Sequence, residues 1–150
     1  MARWGVKATK GAGNVQSVLL LVAAAASPRR AKVYDWSFGC NATPADNVFT
    51  HIAQRCTTAG TGAALTPNSL DPADTLASTI VAKDTVTIDP TLTANAFLLG
   101  KPLNQRATFR WVAAPYGELI IPATASNGIM FGLSTASTTD MAHDANYEEY

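Results

Sequence analysis

Arg106-Ala-Thr-Phe-Arg-Trp-Val-Ala-Ala114 and Glu118-Leu-Ile-Ile-Pro122, separated by Pro115-Tyr116-Gly117, decide how the chain is read. In the first run Ala107, Phe109, Trp111 and Ala113 fall on one side, while Arg106, Thr108 and Arg110 fall on the other. Successive side chains of a strand point to opposite faces, so this period of two predicts a strand with one buried face. A short Pro/Gly turn between two such runs predicts a β-hairpin. Trp111 is then expected inside, between two sheets.

The same pattern recurs outward from that stretch. Arg3 to Thr9 alternates, with Trp4, Val6 and Ala8 on one side. Lys10 to Asn14 is a glycine-containing loop, and its two glycines lack the strand-loop-helix setting and third glycine of a nucleotide motif. Val15 to Ala25 is apolar on both faces near Leu19 to Val22, which predicts a central strand. Its Leu/Ala run after Arg3, Lys7 and Lys10 imitates a secretory signal but is too short to span a bilayer as a helix. In Lys32 to Cys40 the alternation places Tyr34, Trp36, Phe38 and Cys40 together, opposite Asp35 and Ser37. Asn41 to Asp46 is turn chemistry, and Val48 to Cys56 reads as a return strand holding His51. A lone histidine there is read as satisfied or exposed rather than as a ligand.

Thr57 to Asp74 is the longest stretch without periodicity, and long loops in compact domains tend to be functional. Within it Asp71-Pro-Ala-Asp-Thr-Leu76 is expected to cap a helical turn, because its spacing lacks the acids and glycine of a calcium loop. Short strands are expected at Thr85 to Ile88, Asn95 to Gly100 and Ile129 to Leu133, with a last one over Ala142 to Tyr150. Glu148 and Glu149 would point to opposite faces of that strand, so they are not a catalytic pair. Eight to ten short strands without a helical period predict a single all-β domain over residues 1–150. Its expected form is an antiparallel, jelly-roll-like β-sandwich with little helix and a long loop at about 57–75.

Composition narrows the function classes. The chain is 47% hydrophobic and 15% charged, with 11 Lys plus Arg against 11 Asp plus Glu. An average domain carries about 25% charged residues, so part of this surface is expected to meet protein rather than water. Zero formal charge argues against nucleic acid, whose binders carry a basic excess. Cys40 and Cys56 match no zinc spacing and are read as buried thiols. No nucleophile-base-acid set, metal-ligand cluster or phosphate loop is recognisable, so no catalytic, cofactor or metal residue is assigned.

Four phrases carry a resemblance: Leu65 to Thr75, Leu103-Asn-Gln-Arg-Ala-Thr-Phe-Arg-Trp-Val-Ala113, Glu118-Leu-Ile-Ile-Pro-Ala123, and Tyr147-Glu-Glu149. From about Arg30 onward the chain resembles small virion proteins of tailed bacteriophages, of the capsid decoration or cement type. The resemblance implies a β-rich structural protein, often a homotrimer, on the outer surface of the head. Its partners would be the major capsid protein and further copies of itself, with no nucleic acid, membrane or cofactor. It would be made in the host cytoplasm and reside in the virion. Leu65 and Leu70 on the long segment, and Tyr116 at the hairpin tip, are the candidate interface residues. The alternative is a receptor- or carbohydrate-binding β-domain of a tail or fibre; an enzyme would have only His51, His143 and scattered acids to work with.

Overall fold

The computed structural model describes residues 1–10, 13–74 and 76–150. Gly11 and Ala12 of the Lys10–Asn14 loop, and Thr75, lie outside the described residues. Alternation becomes strand along most of the chain, and among the described residues there is no helix. The strands are β1 (Ala2–Thr9), β2 (Val15–Ala23), β3 (Ala31–Cys40), β4 (Val48–Cys56), β5 (Thr61–Leu65) and β6 (Asn68–Ser69). They continue as β7 (Ile80–Ile88), β8 (Leu92–Asn104), β9 (Phe109–Val112), β10 (Leu119–Ile121), β11 (Gly128–Ser137) and β12 (Met141–Glu149).

Nested pairing sets the architecture. β1 pairs with β12, β2 with β11, β3 with β9 and β10, and β4 with β8, all antiparallel. This is one long hairpin, rolled so that its successive pairs alternate between two sheets. One sheet runs β10-β3-β12-β1-β6, with β9 also on β3, and the other runs β5-β7-β2-β11-β4-β8. Two facing sheets wound in this way make a jelly-roll sandwich, as expected. Residues 57–89 are an insertion between β4 and β8. It adds β7 and β5 beyond β2, and sends β6 across to the outer edge of β1.

The main core lies between the sheets. Trp4, Trp36 and Tyr147 are at most 1% exposed there, with Leu19, Leu21, Ile121, Ile129 and Phe131 packed among them. Trp4 stacks on Tyr147 at 5.8 Å, and Trp36 meets Phe131 at 5.2 Å. A second cluster, Leu20, Ile52, Val86 and Met130, occupies the opposite face of the second sheet. Leu92 packs on it, and Leu20 lies against the turn at Gly60, whose φ of +55° suits glycine. That outer cover explains why β2 is buried on both faces, as its sequence predicts.

Several expectations need correction. β9 and β10 do not pair as a hairpin: both run antiparallel to β3, along the same edge, at Phe38–Asp35 and Val33–Ala31 respectively. Pro115-Tyr116-Gly117 therefore forms a loop that leaves the edge and returns to it, without reversing the chain. Trp111 consequently sits on an edge strand and is only partly buried; the tryptophans sealed in the interior are Trp4 and Trp36.

Tyr34 does not share a face with Trp36. Opposite it the ladder skips from Asn146↔Asp35 to Tyr147↔Val33, which leaves Tyr34 as the extra residue of a bulge. A bulge shifts the phase of alternation, so Ala31 and Val33 face the core before it, and Trp36 and Phe38 after it. Finally, the long segment at about 57–75 carries two short strands, β5 and β6, among its described residues. Its Asp71 forms no helix cap: the carboxylate accepts from Ala73 N at 2.9 Å, and that of Asp74 from Leu76 N at 3.0 Å. These are Asx-type turns, the local side-chain bonds that compete with a helix.

Candidate interaction surface

The three residues singled out for contact occupy different places. Leu65 ends β5 and turns inward, partly buried against the main core. Leu70 follows β6, its N–H donating to Arg3 O at 2.9 Å, and stays 49% exposed. Tyr116 is 98% exposed with φ of +64°, on the loop closed by Gly117 N–H donating to Ala114 O at 2.8 Å. β6 and β9–β10 are opposite edges of one sheet, four strand spacings or roughly 19 Å apart. Leu65, Leu70 and Tyr116 therefore do not form one surface, and Leu65 packs partly buried against the core.

Two further exposed apolar side chains lie on edge strands: Val112 on β9 of the first sheet at 57% and Phe97 on β8 of the second sheet at 56%. Val112 was legible, because it continues the Arg106-Thr108-Arg110 phase that points away from the core. Phe97 was not, because a bulge in β8 breaks its alternation between the partners of Ala53 and Cys56. β8 and β9 approach each other where the Lys101 ammonium lies 5.7 Å from the centre of the Phe109 ring. Neither the β8 edge nor the β9–β10 edge has a strand neighbour among the described residues.

Beside β9 the outer face of the first sheet is polar. Arg110 donates to both Asp35 oxygens, at 2.9 and 2.5 Å, and Asn146 adds a third donor at 3.4 Å. Arg110's hydrogen bonds hold the Asp35 carboxyl below the usual carboxylate range. An open groove of about 320 Å³ adjoins the pair, lined among others by Ser37, Thr108, Arg110 and Asp144. Partial burial raises the Asp144 carboxyl, against the pull of Lys7.

The remaining titratable groups turn inward. His51 on β4 and His143 on β12 meet between the sheets, Nδ1 to Nε2 at 3.2 Å, and both are at most 2% exposed. His51 is thus neither alone nor exposed. Its partner was invisible in the sequence because it lies 92 residues away. Burial brings His51 down to about 4, and burial together with the His51 charge pushes His143 well below its ordinary value. His143 Nδ1 and the neighbouring Trp36 Nε1 are buried without a hydrogen-bond partner.

Glu149 is buried and Glu148 is not, as opposite faces require. The Glu149 carboxylate accepts from Thr79 N, from Thr79 Oγ1 at 2.7 Å and from Ser78 Oγ at 2.5 Å. Cys40 is half-buried and Cys56 buried; both are free thiols, and burial pushes Cys56 up to about 11. Among the described residues no three His, Cys, Asp or Glu side chains are grouped to hold a metal ion, and no helix is long and apolar enough to cross a membrane. In comparisons with known proteins, no family model matches the chain, and neither a curated protein nor a solved structure is detectably similar to it.

Proposed function

We propose that this chain is a structural virion protein that decorates the outer surface of a tailed-phage head and ties neighbouring major capsid subunits together. The observation that carries the reading is the open side of the sandwich. There Tyr116 and Val112 stand exposed at the β9–β10 edge of the first sheet and Phe97 on the β8 edge strand of the second, both edges left unpaired among the described residues. Rigid aromatic anchors at a surface are what hot spots of protein contact are made of. The phrase-level resemblance to decoration proteins points to the capsid as the partner and to a homotrimer as the assembly. Action by binding rather than catalysis fits the histidines, because a general base must reach its substrate and His51 and His143 are sealed in the core.

Light scattering of the purified chain, followed by co-sedimentation with undecorated heads at low and high salt, tests the proposal. Trimers that bind heads at both salt concentrations are expected, since the contact is read as mainly apolar. A monomer that ignores the heads ends the decoration reading. The second reading, a carbohydrate-binding domain of a tail or fibre, has in its favour the open groove where Ser37, Thr108, Arg110 and Asp144 stand beside Phe38 and Phe109. Glycan-array binding that is lost in Asp144→Ala, combined with a low copy number in virions, would favour it instead.

A further inference from the structure

We infer that His51 and His143 form an acid-operated joint between the two sheets, closed while both rings are neutral and forced open when the pair takes up protons. The joint is built from both sides of the sandwich: β4 belongs to one sheet and β12 to the other, and the N···N contact of 3.2 Å spans the core. A neutral pair places one N–H between the rings. A doubly protonated pair places two there, pointed at each other, and the bond becomes a repulsion.

The groups packed on the rings are aromatic, and their weak cation–π attraction is small beside the cost of burying a charge. Phe38 of β3 stacks on His51 at 4.0 Å, and Trp36 lies edge-on to His143 at 5.6 Å. Behind them come Phe109 of β9 and Phe131 of β11. Of the cations on neighbouring elements, Lys101 of β8 lies over Phe109, and the buried Lys10 beside β12 donates to the Gly13 carbonyl; either would repel an imidazolium. Arg55, further along β4, donates to Ile120 O. Cys40 of β3 is half-buried, with its thiol directed at the Ala42 and Asp140 carbonyls. Asp35, Arg110 and Asp144 belong to the outer-facing positions of the first sheet, on the far side from the rings. No carboxylate contributes to the titration of either histidine.

The sign follows from the depressed values in the fold. Unfolded histidines bind protons below about pH 6.5, while the folded pair resists them, so acid favours the open state from that pH downward. Each histidine can raise the unfolding equilibrium up to about tenfold per pH unit, and the pair up to about a hundredfold.

The experiment measures urea unfolding of the full chain between pH 7.5 and 5.0, by tryptophan fluorescence and near-ultraviolet circular dichroism, in wild type and in His51→Gln/His143→Gln. The two amides can hydrogen-bond across the same gap but do not titrate. Wild type should lose stability steeply below pH 6.5, and the double variant should change less than about threefold per pH unit. An equal acid dependence in both proteins overturns the inference. If the double variant does not fold, NMR titration of the wild-type ring protons decides. Rings that stay neutral at pH 5.5 in the folded protein support the joint; rings that titrate near 6.5 without unfolding overturn it.

Discussion

Along one side of the sandwich the edges of β1 and β2 are covered by the insertion, whereas along the other β8 and β9–β10 keep their outer edges unpaired. The covered side is finished with hydrogen-bonded carboxylates. Glu149 receives Ser78 and Thr79 at the return of the insertion, and Asp89 receives Gln16 N, Ser17 N and Ser17 Oγ at its end. The open side is finished with interruptions. β8 carries Pro102, Lys101 and a bulge with Asn95 at φ of +58°, and β9–β10 is broken by the Tyr116 loop. Proline, lysine and bulges are how edge strands avoid pairing with another chain. The difference teaches that strand addition is discouraged on the open side, so the contact proposed there would have to be made through side chains.

The most direct test of this contrast is Glu149→Ala. It would remove the acceptor of a half-buried backbone N–H and of the Thr79 and Ser78 hydroxyls, the latter keeping Tyr147 Oη as a partner, at a cost of about 2–3 kcal/mol. Urea denaturation at pH 7 measures it; a loss under about 1 kcal/mol would mean that the insertion is not anchored there. Asp89→Ala removes three donors' partner from a half-buried site, and about 1–2 kcal/mol is expected. A cost equal to that of Glu149→Ala would place the stronger anchor at the β2 end.

The tryptophans sharpen the comparison next. Trp36→Ala should cost about 3–5 kcal/mol, the value for emptying a filled core site. Trp111→Ala, on the open side and only partly buried, should cost about 1–2 kcal/mol, because less apolar area returns to water. Equal losses in thermal or urea unfolding would erase the distinction between interior and edge.

Trp36 and Trp111 also mark how far the sequence could be read. Alternation in the Arg106–Ala114 run correctly separated Phe109 and Trp111 from Arg106 and Arg110, because period two is a local property of a strand. Whether such a strand lies centrally or at an edge is a matter of pairing, which alternation does not carry. The same limit hid the partner of His51, since a contact across sheets leaves no trace in spacing. Tyr34 misled for a different reason: one bulged residue reverses the phase without changing composition. Of the candidate surface, Tyr116 was legible from its Pro/Gly neighbours. Leu65 was misjudged because its polar flanks belong to strand ends rather than to a loose loop.

The smallest effect on stability, and the sharpest on contact, is expected from Tyr116→Asn. The ring is almost wholly exposed, so its removal returns little buried area to water. Its backbone is in the left-handed region, which asparagine tolerates better than tyrosine. The unfolding free energy should therefore move by no more than about 0.5 kcal/mol, in either direction. Binding is a separate matter. If Tyr116 anchors the open side on a capsid subunit or on another copy of the chain, its loss should cost about 2 kcal/mol, some thirtyfold in affinity. Co-sedimentation with undecorated heads and light scattering of the variant read that loss directly. A variant that keeps both its assembly and its head binding would move the contact to the covered side. Leu70 and Leu76, exposed beside Asp71 and Asp74, would then be the residues to replace.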